Sequence, residues 1–594
     1  MTALAADRPS LALLLIAAAL AAGPSVGQVA PDPAEPQTPA APPPAPKSLL
    51  PDSFGAAPAA PVAAPAPLAL APAPDTAPEA TAADTSDTAA VPGPGGPPID
   101  TVGPLTPALG GYGPAAFAGS DGRFVAGLLR RLTAPIASRW AHIVLTRALL
   151  TQAAAPQGIN PGDWIAERAR TLLATGEVDG AKMLIDNLPV DRFTPRLVRV
   201  AGQVHLAAAD VPGLCPIADT GGAVSTDPLW KLAEAMCAAI AGDDITSSSA
   251  FDALRDGGGV DPFDIMLGER IATVSGTAGR AVAVQWDAVD RITPYRFGIA
   301  AAAGIAVPLA QVTQLAAATG GASWGWVLRA PGQAAEVRAA ALRPAVAIGV
   351  ASADEMVGAI SAASADDRAA LEASAAGTLR AAYAADTTVE RVAAMRTIWA
   401  SGASEPERYA AHIETALAAA RLPIDRGVAA DAPDLIAAML AAGIEDRAKR
   451  WWPVVADSDD ADSRKAWVLL AVGANGGIPV SPGRFAAWAK DVSPHRAALI
   501  MAALDGLGHA RGGGWDATRN GVGLIAVSNS WSHAIDTAAT ARRTGEVAVL
   551  AATGLQSGWA AVPPGHFAHI IAAYVAVGRT HEARMLAAEA ATRG

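Results

Sequence analysis

The stretch VGRTHEARMLAAEA, Val577 to Ala590, sets a glycine, four further residues, an alanine and a basic residue in order. The same skeleton stands in TGEVDGAKMLIDNL, Thr175 to Leu188, and in AGIEDRAKRWWPVV, Ala442 to Val455. In the longer run HIIAAYVAVGRTHEARMLAAEA an apolar helix is expected to end at Val577. Gly578 then takes the positive φ that stops it, and a second helix restarts with Ala583 facing back. A small alanine lets two helix backbones approach, while Tyr574, Met585 and Leu586 fill the space beside it. The pattern therefore predicts a helical hairpin, used three times.

Working outward, order is expected from about Ser120, where Phe124, Leu128 and Leu132, then Trp140, Val144 and Ala148, recur at helical spacing. Helix-length segments follow with short breaks. Many breaks share a polar residue before proline: Asp227-Pro228, Asp261-Pro262, Thr293-Pro294, Glu405-Pro406, Ser481-Pro482 and Ser493-Pro494. Proline suits the first helical position because its missing N–H has no partner there, and a preceding Ser, Thr or Asp can cap free amides. Only Asn520 to Ser530, NGVGLIAVSNS, does not read as helix. The fold class expected is all-α, with irregular antiparallel hairpins stacked as a solenoid-like array. On Gly176 with Ala181, Gly443 with Ala448, and Tyr574 and Gly578 with Ala583, the chain resembles the tetratricopeptide-type helical hairpin. That resemblance implies an irregular repeat array with a surface for protein or peptide partners. The superhelical part of soluble lytic transglycosylases is similar in being exported and helical, but the Glu-Ser dipeptide of their catalytic domain does not occur here.

The start of the chain reads as an export signal. Arg8 precedes the apolar run Leu11 to Ala22, and Ser25-Val26-Gly27 supplies small residues for cleavage after Gly27. As a helix that run is about 18 Å long, against a hydrocarbon core of roughly 30 Å. An uncleaved signal anchoring the chain in the inner membrane is the alternative. No cysteine lies near the cleavage site, which argues against a lipoprotein. From Gln28 to Ala118 the sequence is Pro-, Ala- and Thr-rich and holds eight acidic residues against Lys47. Of the net charge of −12, that segment carries −7. Its composition predicts a disordered linker. The organisation expected is thus a signal peptide at 1–27, a linker at 28–118, and helical lobes at 119–350 and 351–594. Six lysines against a large excess of arginine read as the bias of a GC-rich bacterial genome. Without concentrated positive potential, nucleic-acid binding is not expected. No later stretch is apolar enough to span a membrane.

Two cysteines, Cys215 and Cys237, read as a disulfide in an exported chain, with two buried free thiols as the alternative. Six of the nine histidines lie beyond residue 490, and His566 and His569 share a helical face as two metal ligands would. No third ligand accompanies them in the sequence, so packing histidines are the plainer expectation. Ser532, His533 and Asp536 invite comparison with a catalytic triad, but neighbours on one helix point in different directions. Ser530 or Ser532 as a helix cap is the simpler account. The glycine runs at 256–261 and 511–516 lack the Lys-Ser/Thr of a phosphate loop. Asp366-Asp367 and Asp459-Asp460 read as polar breaks or helix starts. Adjacent tryptophans cannot both face one core, so Trp451 and Trp452, together with Trp324 and Trp326, are candidates for partner contact against a background of internal packing.

The functional expectation is an exported, periplasmic or secreted, helical-repeat scaffold that binds a protein or peptide partner in the cell envelope. No catalytic residue, cofactor or metal is expected. The alternative is an envelope hydrolase, metal-dependent in one form, whose site is assembled from distant residues including the C-terminal histidines.

Overall fold

The computed structural model describes residues 99–276, 284–286, 289–362 and 374–594. The expected signal peptide, the linker as far as residue 98 and the Asp366-Asp367 pair lie outside these residues. Among the described residues the regular structure is helical, and β pairing is confined to isolated bridges such as Ile136 with Gln556. The fold is all-α, and no described helix is long and apolar enough to cross a membrane.

The proline-led starts form as the cap chemistry requires. Asp227 accepts from the Leu229 amide at 3.0 Å, Asp261 from Phe263 at 2.9 Å, and Thr293 from Arg296 at 3.1 Å. Ser481 and Ser493 do the same for Arg484 and Arg496. Glu405-Pro406 departs from the pattern. There the helix begins at Glu405, capped by Ser404 in a reciprocal box with Glu407, which displaces proline by one position. Asn160-Pro161 and Thr194-Pro195 use the same device.

The hairpin turn also recurs. Gly176, Gly443 and Gly578 have φ of 97°, 78° and 78°. In each case the next amide reaches back five residues: Glu177 to Leu172, Ile444 to Met439 and Arg579 to Tyr574, at 2.9, 2.8 and 2.7 Å. Such a bond closes the last helical turn in the left-handed C-terminal motif. Ala181, Ala448 and Ala583 are fully buried at the restart. The same bond recurs after Gly242, Gly304, Gly349 and Gly508, and at Ala209 and Arg542, two non-glycine residues with φ of 54° and 55°.

Neighbouring helices pack in sequence order through much of the chain. The last helix, Thr580–Arg593, goes further: besides its predecessor Pro564–Ala576 it touches helices Arg139–Leu150, Glu405–Ala419, Ala432–Ala441, Ala461–Gly473 and Pro494–Gly506. Glu582 through Ala590 are buried without interruption, as expected of a helix enclosed on every side. Its charges are paired, Arg584 with Glu445 at 2.7 and 2.8 Å and Glu589 with Arg593 at 2.6 Å.

Contacts cross the boundary drawn at residue 350. Helix Ala335–Ile348 packs on Glu405–Ala419, where Arg343 donates to Glu414 at 2.9 Å, and helix Arg139–Leu150 packs on Thr544–Gly554 and on the last helix. The boundary therefore falls inside a shared core. Residues 99–118, assigned by composition to the linker, are docked on this core. Arg168, fully buried, donates to the carbonyls of Leu149, Val102 and Thr151, and burial pushes its pKa down to about 9. Phe117 packs edge-on against Trp164. Order begins earlier than Ser120 because these groups, not the local composition, hold the segment. Phe124, expected inside, is instead 41% exposed.

Candidate functional site

The single stretch that resisted a helical reading builds one wall of a solvent-open groove in the C-terminal region. Residues 524–528 run without helix or turn between the helices Trp515–Gly521 and Ser530–Thr540. Two side chains of helix Pro564–Ala576 fasten this strap. His569 Nε2 donates to the Val527 carbonyl at 3.0 Å, while its Nδ1 lies 2.8 Å from Asp536 Oδ1. His566 Nε2 lies 3.0 Å from the side-chain Nδ2 of Asn529, and its ring packs at a 39° tilt against Trp531 with centroids 4.6 Å apart. Burial, and then the neighbouring His569, lower the His566 pKa. Gly565 lets the strap lie flat on the helix start, since a side chain there would come within 2.8 Å of the Ile525 carbonyl.

Beside the strap is a groove of about 300 Å³, lined by Leu524, Ile525, Ala568, His569, Asp505 and Arg519. Its floor is formed where helices Pro494–Gly506 and Pro564–Ala576 cross closely. A β-carbon on Gly506 would stand 2.8 Å from that of Ile571. Arg519 is held by Asp505 and Asp516 at 2.6 and 2.8 Å. The strap itself spends few backbone groups internally. Leu524 N donates to Arg519 O at 3.1 Å and Val527 O accepts from His569. Among the described residues, the amides of Ile525, Ala526, Val527 and Ser528 and the carbonyl of Ala526 have no partner. Ile525 is 77% exposed.

The structure also places the other residues that the sequence singled out, and corrects the cap of the helix that starts at Ser530. His566 and His569 are brought together as fasteners of the strap. Among the described residues the set of potential ligands within 4.8 Å of one another is Asp186, His205 and Asp210. There Lys182 donates to both Asp186 and Asp210, so an ammonium already supplies the positive charge. Ser532, His533 and Asp536 do not converge. Asp536 faces His569, His533 faces Ser528 at 3.3 Å, and Ser532 is buried in a capping box whose cap is Asn529, neither Ser530 nor Ser532.

The tryptophan candidates are mostly internal. Trp451 is 1% exposed and Trp326 is buried with its indole N–H donating to Leu173 O at 3.1 Å, so neither is available to a partner. Trp452 is half-buried beneath the Arg484 guanidinium, which also lies over Trp467, at 5.1 and 5.4 Å. Trp324 is half-buried on the core. Cys215 and Cys237 are joined as a disulfide with Cα atoms 5.5 Å apart. The sequence marked the strap by its lack of helical periodicity. It did not mark Asp505, Arg519 or Ala568, which reach the groove from three other segments.

Comparison of the chain with protein-family models, with curated proteins and with solved structures finds no match.

Proposed function

We propose that this protein is an exported helical scaffold that binds a protein or peptide partner in the cell envelope and does not itself catalyse a reaction. The observation that carries the reading is the strap and groove, where His569 holds the Val527 carbonyl and His566 the Asn529 side chain while an apolar, solvent-open surface with unpaired amides is left beside them. Exposed apolar surface next to unsatisfied backbone suits recognition of another chain. The Cys215–Cys237 bond supports an oxidising compartment, and the recurring hairpin turn supports a stacked helical array related to tetratricopeptide-type repeats. The metal-dependent hydrolase alternative finds no support at His566 and His569, where both ring nitrogens of His569 face Asp536 and Val527 and Nε2 of His566 faces Asn529.

Crosslinking in intact host cells, with the chain tagged at its C-terminal end, tests the proposal. Reproducible capture of a small set of envelope proteins is the expected result. Capture of nothing above background, in cells where a known envelope complex is recovered, would overturn it.

A further inference from the structure

The geometry points to the strap and groove as the site of an extended peptide that adds to the strap edge, places an apolar side chain in the groove and carries a cationic residue beside it. This rests on the scaffold reading above and specifies its partner.

Three observations choose this occupant. First, Leu524-Ile525-Ala526-Val527-Ser528 runs without helix or turn and places the strand-favouring Ile525 and Val527 at alternate positions. Its amides from Ile525 to Ser528, with the Ala526 carbonyl, are unbonded among the described residues. In an extended segment alternate residues share an edge, so the amides of Ala526 and Ser528, with the Ala526 carbonyl, stand opposite the Val527 carbonyl that His569 engages, and free N–H and C=O groups on one edge are a template for another backbone, which can supply both donors and acceptors. Second, the groove of about 300 Å³ is roughly twice a cavity of about 150 Å³ that holds a benzene-sized molecule, so it accepts one or two aliphatic side chains and little more. Third, the acidic groups outnumber the basic ones. Asp505 and Arg519 line the groove, Asp516 flanks it through Arg519 and Asp536 through His569; the three aspartates are 40%, 87% and 50% exposed, against 25% for Arg519, shared by the first two, and 24% for His569, which faces the third. An incoming Lys or Arg complements that rim, and an incoming carboxylate is repelled.

The fastening explains why the strap is presented instead of collapsing into the groove. His569 and His566 hold Val527 and Asn529 from the helix side. The side of the strap away from that helix is left to the partner.

The test uses the full chain and fluorescein-labelled peptides read by fluorescence anisotropy. The probe is Lys-Leu-Val-Leu-Lys. Its comparators are Glu-Leu-Val-Leu-Glu and the cationic peptide N-methylated at the central amide. Two variants remove different parts of the site. Ala526→Pro deletes an amide that makes no internal hydrogen bond, and Ile525→Asp places a charge at the groove edge. Ile245→Asp, at an exposed apolar residue remote in sequence, is the control. The cationic peptide is expected to bind the wild type and the control alike. Each strap variant, the N-methylated peptide and the acidic peptide are expected to weaken binding at least about ten-fold. Thermal unfolding of Ala526→Pro matching wild type confirms that the loss is local.

Equal binding by Ala526→Pro, or by the N-methylated peptide, would overturn the strand-addition proposal. So would a wild-type dimer that is lost in Ile525→Asp, since a second copy would then be the occupant. If envelope partners are still captured by Ala526→Pro at wild-type yield, this proposal fails while the scaffold reading stands. If no partner is captured by either protein, the scaffold reading fails with it.

Discussion

Glu589 closes the helix that Ser138 begins 451 positions earlier in the chain. Its carboxylate accepts from the Ser138 hydroxyl at 2.6 Å and from the amides of Arg139 and Trp140 at 2.9 and 3.1 Å. Ser138 in turn accepts from the Ala141 amide at 3.1 Å. A helix leaves its first amides without internal partners, and the positive end of its dipole favours an anion there. Here a buried side chain from the far end of the sequence fills both needs, and Arg593 balances its charge.

Glu589→Ala is therefore expected to destabilise the protein by about 3–5 kcal/mol, the cost of removing one partner from a buried, hydrogen-bonded charge pair. Glu589→Gln keeps one acceptor oxygen but turns an NH₂ group toward donors, and is expected to cost less than alanine. Denaturant unfolding of the two variants against wild type checks both the size and the order.

The Cys215–Cys237 bond encloses a loop with a sequence separation of 22. Constraining an unfolded loop of that length is worth about 3 kcal/mol. The double Cys→Ser variant should lose about that much, and reduction of the wild type should match it. A maleimide assay on protein purified without reductant should label neither cysteine until a reductant is added.

The hairpin turn shows how far the sequence could be read. Gly176, Gly443 and Gly578 were legible because each precedes an alanine at a fixed distance. At Arg542 the same turn carries Arg and Val547 in the two key places, and at Gly242 the buried restart residue is Ser247. A spacing rule built on Gly and Ala cannot detect them, although the backbone bonds are identical. A left-handed conformation costs a non-glycine residue roughly 1–2 kcal/mol, part of which glycine returns as unfolded-state entropy. Arg542→Gly is expected to raise stability by up to about 1 kcal/mol. Gly578→Ala, whose added methyl meets open space but must take φ of 78°, should lower it by a similar amount. Paired thermal melts of these two variants separate conformational strain from packing.

What the sequence hid is mostly long-range. The cap chemistry at Asp227, Thr293 and Ser493 is local, so a few residues suffice to foresee it. The burial of Glu582 through Ala590 depends on six helices scattered from residue 139 to residue 576, and nothing within the last segment announces them. The groove has the same character. The non-helical strap could be anticipated from its missing periodicity, whereas Asp505 and Ala568 meet through the helix crossing that Gly506 permits, the strap lies against them because of Gly565, and Arg519 arrives from the helix Trp515–Gly521.

Acid sensitivity gives a last test, with two carboxylates predicted to act in opposite directions. Asp210 is held well below its ordinary value of 3.8, first by the hydrogen bond from His205, against the opposing effect of burial, and then by Lys182 and the Gly213 amide. Its folded pKa lies below its unfolded one, so the unfolded state binds the proton more readily. The stability it contributes is complete above pH 3.8 and is lost as pH falls toward the depressed folded value. Glu414 is the reverse case. Burial raises its pKa above 4.5 despite Arg343, so the folded state takes up a proton first and stability gains as pH falls through the raised value toward 4.5. Asp210→Asn should flatten the decline of melting temperature below about pH 4, because the carboxylate whose protonation is disfavoured in the folded state is gone. Glu414→Gln should steepen the approach to pH 4.5 from above, because the compensating proton uptake is gone. Melting temperatures of the two variants and wild type, measured from pH 7 to pH 2 at constant ionic strength, check the pair together. A parallel response of both variants would show that the surroundings of Asp210 and Glu414 do not shift them in opposite senses.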